Sequence, residues 1–98
     1  MHIVIQWNRR ALKQFDNAIA YIENDSPANA EKFKSDILSR IDDLLKYPEK
    51  TAADKYKTNN DGSFRAFELH GYRISYRYKN NKVRIIRIRH TKMNPQNY

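Results

Sequence analysis

The sequence predicts an α+β domain in which an antiparallel four-stranded sheet carries an N-terminal helical hairpin on one face, in the order β-α-α-β-β-β. Three observations point to this class. From Phe64 to Arg89, runs rich in Val, Ile, Phe and Tyr are broken by two turn signals, His70-Gly71 and Asn80-Asn81. From Arg9 to Lys46, apolar residues recur at three- and four-residue steps. Charge is also segregated: residues 1–46 hold seven Lys/Arg and seven Asp/Glu, residues 47–98 hold twelve and four, so the net +8 lies wholly in the sheet-forming half.

The elements follow in order. Residues 2–7 alternate, with Ile3, Ile5 and Trp7 on one side, and read as a short strand of the same sheet. Residues 9–24 carry an apolar stripe of Ala11, Leu12, Phe15, Ala18, Ile19 and Ile22. Asn24-Asp25-Ser26-Pro27 ends that helix and starts the next, with Ser26 as N-cap and Pro27 in the first turn. The second helix is expected to run to about Lys46 on Ala30, Phe33, Ile37, Leu38, Ile41, Leu44 and Leu45, before Tyr47-Pro48 stops it. Residues 49–63 show no periodicity, and Asn59-Asn60-Asp61-Gly62 reads as a turn.

Three antiparallel strands follow, at about 64–69, 72–79 and 82–89. In the middle one, Tyr72, Ile74, Tyr76 and Tyr78 share a face, while Arg73, Ser75 and Arg77 share the other. The tyrosine face is expected to pack under the helices, leaving the arginine face open. In the last strand Val83 and Ile85 fall on one face and Ile86 and Ile88 on the other, which requires burial on both sides or a β-bulge. Residues 90–98 read as a polar tail that Pro95 keeps out of the sheet.

The 98 residues suffice for one domain, 1–98, with one core. No cysteine is present, which excludes disulfides and thiolate metal sites, and the three histidines are scattered; no metal site or other cofactor is expected. No apolar run approaches the roughly 20 residues of a membrane span, and Met1–Trp7 lacks a signal-peptide pattern. A cytoplasmic protein without membrane association is expected. The basic half should attract a polyanion or an acidic protein segment.

The Trp7 strand, the hairpin Tyr21-Ile22…Ser26-Pro27…Ala30…Phe33…Ile37…Leu45…Pro48, the strand Gly71-Tyr72-Arg73-Ile74…Tyr76-Arg77 and the strand Ile86-Arg87-Ile88-Arg89-His90 together resemble the RelE/ParE toxin superfamily of type II toxin–antitoxin modules, plasmid-stabilisation type. The resemblance spans nearly the whole chain. It implies a toxin neutralised by a cognate antitoxin whose C-terminal segment wraps it. It also implies one of two targets: mRNA on the ribosome, cut by an endoribonuclease, or DNA gyrase, inhibited without catalysis. The long hairpin resembles the second branch; the basic sheet face and tail resemble the first, which is the leading expectation. A non-toxic nucleic-acid-binding member is the third alternative.

For RNA cleavage the resemblance implies catalytic roles for Arg73, His90, Tyr98 and, as base, Glu68. Attack by a ribose 2′-OH needs a base, an acid and cations for the developing phosphorane charge, and no metal. Guanidinium groups suit phosphate oxygens, so Arg65, Arg89 and Arg77, with Lys55 and Lys57, are candidate phosphate contacts. His90 can exchange a proton near neutral pH, and Tyr98 can stack on a base or donate a proton.

Overall fold

Asn8 ends the first strand and starts the first helix. Its backbone N–H donates to the Ile85 carbonyl at 3.0 Å, and its side chain accepts from Ala11 N–H at 2.7 Å, satisfying a donor that the first helical turn leaves unpaired. The computed structural model describes residues 2–98, so Met1 of the expected domain lies outside them. The order is β1 (Val4–Trp7), α1 (Arg9–Asp25), α2 (Pro27–Asp43), β2 (Phe64–Leu69), β3 (Tyr72–Lys79) and β4 (Lys82–His90).

Only Ser26 separates the helices. Its N–H closes α1 on the Ile22 carbonyl at 2.9 Å, and its hydroxyl accepts from Asn29 N–H at 3.1 Å to open α2. Ser26→Ala should therefore lower stability by about 0.5–2 kcal/mol. In a thermal melt that is a fall of several degrees, at about 4–8 °C per kcal/mol for a domain of this size. The second helix stops three residues earlier than expected. Leu44 is still buried, but Leu45 is 41% exposed, because residues 44–46 leave the helix as a turn.

The sheet has the order β1-β4-β3-β2. It is mixed, and this corrects the all-antiparallel expectation. The three-strand meander is antiparallel, but β1 lies parallel to β4, with Val4 beside Lys82 and Trp7 beside Ile85. A parallel neighbour needs a long crossover rather than a turn, and the helical hairpin supplies part of it. Both tight turns use positive φ at consecutive residues: His70 (52°) and Gly71 (77°), then Asn80 (54°) and Asn81 (58°). These φ values suit the right-handed twist of hairpin strands.

One sheet face carries the core. Phe15, Phe33, Ile37 and Ile41 of the helices meet Phe67, Tyr72, Ile74, Tyr76, Val83, Ile85 and Ile88 of the sheet. The Phe33 ring lies 5.0 Å from Tyr72, and Phe15 lies 5.2 Å from Trp7. The two-sided pattern of β4 resolves as a bulge: Ser75 pairs with Arg87 but Tyr76 pairs with Ile85, leaving Ile86 as the extra residue. Beyond Trp7, β4 loses its parallel neighbour. Gln14 of α1 takes over, its side-chain carbonyl accepting from Ile88 N–H at 2.8 Å.

Candidate functional site

The opposite sheet face holds Phe64, Ala66 and Glu68 from β2, Arg73, Ser75 and Arg77 from β3, and Arg84, Arg87 and Arg89 from β4. Register sets Arg73 directly against Arg89. This face is not uniformly open. Segment 49–63 folds along the β2 edge, bridged through Ala53 and Arg65, and places Asp54 beneath it with no solvent exposure of its side chain. The tail does not leave the sheet either; it turns back across the same face.

Three groups converge on the Asp54 carboxylate. Arg73 donates to Oδ1 at 2.8 Å, the Tyr98 hydroxyl donates to Oδ2 at 2.5 Å, and the Tyr56 N–H donates to Oδ1 at 3.1 Å. Burial alone would raise the Asp54 pKa, but the hydrogen bonds from Tyr98, Arg73 and Tyr56 outweigh it and hold the group ionised below the usual carboxylate value. The same burial, with the adjacent carboxylate, pushes the Tyr98 hydroxyl well above its ordinary value. Arg73 also binds Glu68 at 3.0 Å, so its two terminal nitrogens are both engaged by carboxylates. Ser75 Oγ is buried beside Asp54 and Tyr98 and completes no hydrogen bond with the described residues.

The tail is strapped from both sides. Tyr98 N–H donates to the Tyr56 carbonyl at 3.0 Å, and its own carbonyl accepts from Thr58 N–H at 2.6 Å and from Lys57 Nζ at 3.2 Å. Arg87 stacks on the Tyr98 ring at 4.0 Å and donates to the Gln96 carbonyl; burial pulls its pKa down. Arg89 reaches the Gln96 side chain at 3.1 Å and the Asn94 carbonyl at 3.2 Å.

The expected site residues are thus partly assembled. Glu68, Arg73 and Tyr98 meet around Asp54. His90 projects to the helix side, its ring 4.9 Å from Tyr72 and its Nδ1 accepting from Lys92 N–H at 3.0 Å; it reaches only the rim of the cleft. That cleft, bordered by Tyr56, Glu68, Arg73, Arg87, Arg89 and His90, holds about 50 Å³. Arg65 lies at the β2 edge in register with Tyr76, and its guanidinium donates to the Glu49 and Thr51 carbonyls at 3.1 and 2.6 Å. Arg77 binds Ser63 Oγ at 2.9 Å and approaches Asp61 at 3.5 Å; hydrogen bonds from Ser63 hold Asp61 at a pKa of about 2. Lys57 lies over the Phe64 and Tyr98 rings, and the exposed Lys55 lies 5.3 Å from the Tyr56 ring. Sequence reasoning missed Asp54, which sits in a segment with no periodicity.

A second concavity, about 590 Å³, opens between α1 and the end of β4, bordered by Gln14, Asn17, Ala18, Tyr21, Ile88 and Met93. No helix of the described residues is long and apolar enough to cross a membrane.

A family model described as the ParE toxin of the type II toxin–antitoxin system parDE matches residues 5–95. No curated protein matches the chain. Among solved structures, one described as the chromosomal ParDE TA system from P. aeruginosa superposes with a TM-score of 0.71 at 20% identity, covering 92% of this chain and 97% of that one. At that identity the likeness concerns the fold.

Proposed function

The chain belongs to the ParE toxin family of type II toxin–antitoxin systems, and from that premise we propose that it arrests growth by binding and inhibiting DNA gyrase, with no catalysis of its own. A cognate antitoxin is its partner in the family context. One observation carries the choice of target: two of the residues expected to cleave RNA, Arg73 and Tyr98, are already committed to the buried Asp54 carboxylate. A phosphate clamp needs accessible guanidinium donors, yet both terminal nitrogens of Arg73 are bound to Asp54 and Glu68 and its unpartnered Nε is buried. A tyrosine that stacks on a base or donates a proton needs a free ring and a free hydroxyl, yet Arg87 covers the Tyr98 ring and the hydroxyl already donates to Asp54. His90 is turned to the other side of the sheet. The cleft between these groups is far smaller than the roughly 300 Å³ at which small-molecule pockets begin.

Ribosome-dependent mRNA cleavage is the second reading. It is favoured by Glu68, Arg73, Arg89 and His90 bordering one cleft.

The test compares two purified reactions. In one, the chain is added to gyrase and supercoiling is followed; in the other, it is added to ribosomes programmed with mRNA. Inhibited supercoiling with intact mRNA, unchanged in His90→Gln, is the expected result. Cut mRNA that His90→Gln leaves whole would sink the gyrase assignment.

A further inference from the structure

Near the Asn80-Asn81 turn the arginine face changes character. Register sets Arg77 opposite Arg84 and Lys79 opposite Lys82. Like charges directly opposite one another destabilise a sheet. The third such pair, Arg73 and Arg89, is offset by Asp54, Glu68 and the acceptors of the tail. The other two pairs have little to offset them. Arg77 donates to Ser63 Oγ at 2.9 Å and approaches Asp61 at 3.5 Å, and the Asp61 charge also acts on Lys79. Lys79, Lys82 and Arg84 are exposed, and their side chains make no close ion pair or hydrogen bond among the described residues. The surface continues onto β1, where exposed Gln6 lies beside Arg84 and exposed Val4 beside Lys82.

We propose that Arg77, Lys79, Lys82 and Arg84, with the Gln6 amide beside them, form a docking surface for the phosphate backbone of double-stranded DNA. Neighbouring strands lie about 5 Å apart, and same-face residues step about 7 Å along a strand, so four cations fall within a patch that successive phosphates can span. Backbone contacts of this kind fix a duplex without reading its sequence. The absence of a free stacking platform in the patch favours a duplex over a single strand, which is held by bases stacked on aromatic rings. The aromatic rings of this side are already covered by cations: Tyr56 by Arg73, Phe64 by Arg77 and Lys57, and Tyr98 by Arg87. An acidic protein segment would want an apolar anchor, and exposed Val4 is the one large apolar side chain among these positions.

DNA binding here does not depend on gyrase being the target, because it needs only this exposed quarter of the sheet. The test is fluorescence anisotropy of a labelled 20-base-pair duplex with the full chain across a potassium chloride series. Four phosphate contacts give a slope of log K against log salt of about −3.6. The variant Lys79→Gln/Arg84→Gln should reduce the slope by about 2 and weaken binding at least about tenfold at low salt. Its melting temperature should stay level or rise by a few degrees, since both like-charge pairs are relieved. No duplex binding, or a slope the double variant leaves unchanged, overturns the proposal. So does tighter binding of oligo-uridine or polyglutamate than of the duplex.

Discussion

Arg73→Ala is expected to cost about 3–5 kcal/mol of folding stability, a large share of what a small domain possesses. The cost comes from what is left behind. Asp54 has no solvent exposure, and without the guanidinium 2.8 Å away its charge keeps only the Tyr98 hydroxyl and one backbone N–H. Breaking a buried pair from one side is far worse than removing both partners, so Arg73→Ala/Asp54→Ala should melt above Arg73→Ala alone. Acid supplies a second check. The native Asp54 pKa is depressed, so its contribution is complete above the unfolded value of about 4 and is lost as pH falls through the lower native value. In Arg73→Ala, burial is opposed by the Tyr98 and Tyr56 hydrogen bonds without the guanidinium, and the carboxyl should protonate more readily. The gap between the two proteins should therefore narrow as pH falls from about 5 to 3. A variant melting within about 1 kcal/mol of the parent would show that Arg73 is free for other work. Loss of toxicity in Arg73→Ala accordingly identifies a catalytic arginine only where the variant is shown to fold.

The same ion pair marks where the sequence stopped being legible. The meander was readable to the residue for β2 and β3, because alternation and paired turn residues are local signals. Helix starts were readable for the same reason, through Ser26 and Pro27. The direction of β1 was not: four residues that alternate carry no record of which strand they join, or which way. Segment 49–63 and the tail were opaque because they are held by long-range polar contacts, which leave no period. The sequence does carry one signal of these contacts. The basic half has only four acidic residues, and each binds an arginine: Glu49 with Arg65, Asp54 and Glu68 with Arg73, Asp61 with Arg77. Where acids are so scarce among bases, each is a candidate fixed partner rather than a solvated charge. That reading would have tied Arg73 to a carboxylate before any phosphate was considered.

Tyr98→Ala is expected to cost about 2–4 kcal/mol and to release the tail from the sheet. The ring is sandwiched with Arg87 at 4.0 Å and stands edge-on to Phe64 at 6.2 Å, while its hydroxyl completes the shell of Asp54. Tyr98→Phe keeps the ring and removes one charge-assisted hydrogen bond, for about 1–3 kcal/mol. Hydrogen exchange separates packing from strapping, because Thr58 N–H, bonded to the Tyr98 carbonyl, should lose protection in Tyr98→Ala and largely keep it in Tyr98→Phe. The phenylalanine variant also weighs the two targets without unfolding the chain. A gyrase inhibitor should remain toxic in proportion to its folded fraction, since Tyr98 then serves only to hold residues 94–98 over Arg87 and Arg89. A ribonuclease using the Tyr98 proton should lose cleavage by orders of magnitude, far beyond its loss of folded fraction. That second outcome would require Tyr98 to leave Asp54 on the ribosome, and would turn the tail from a structural strap into a part of the active site.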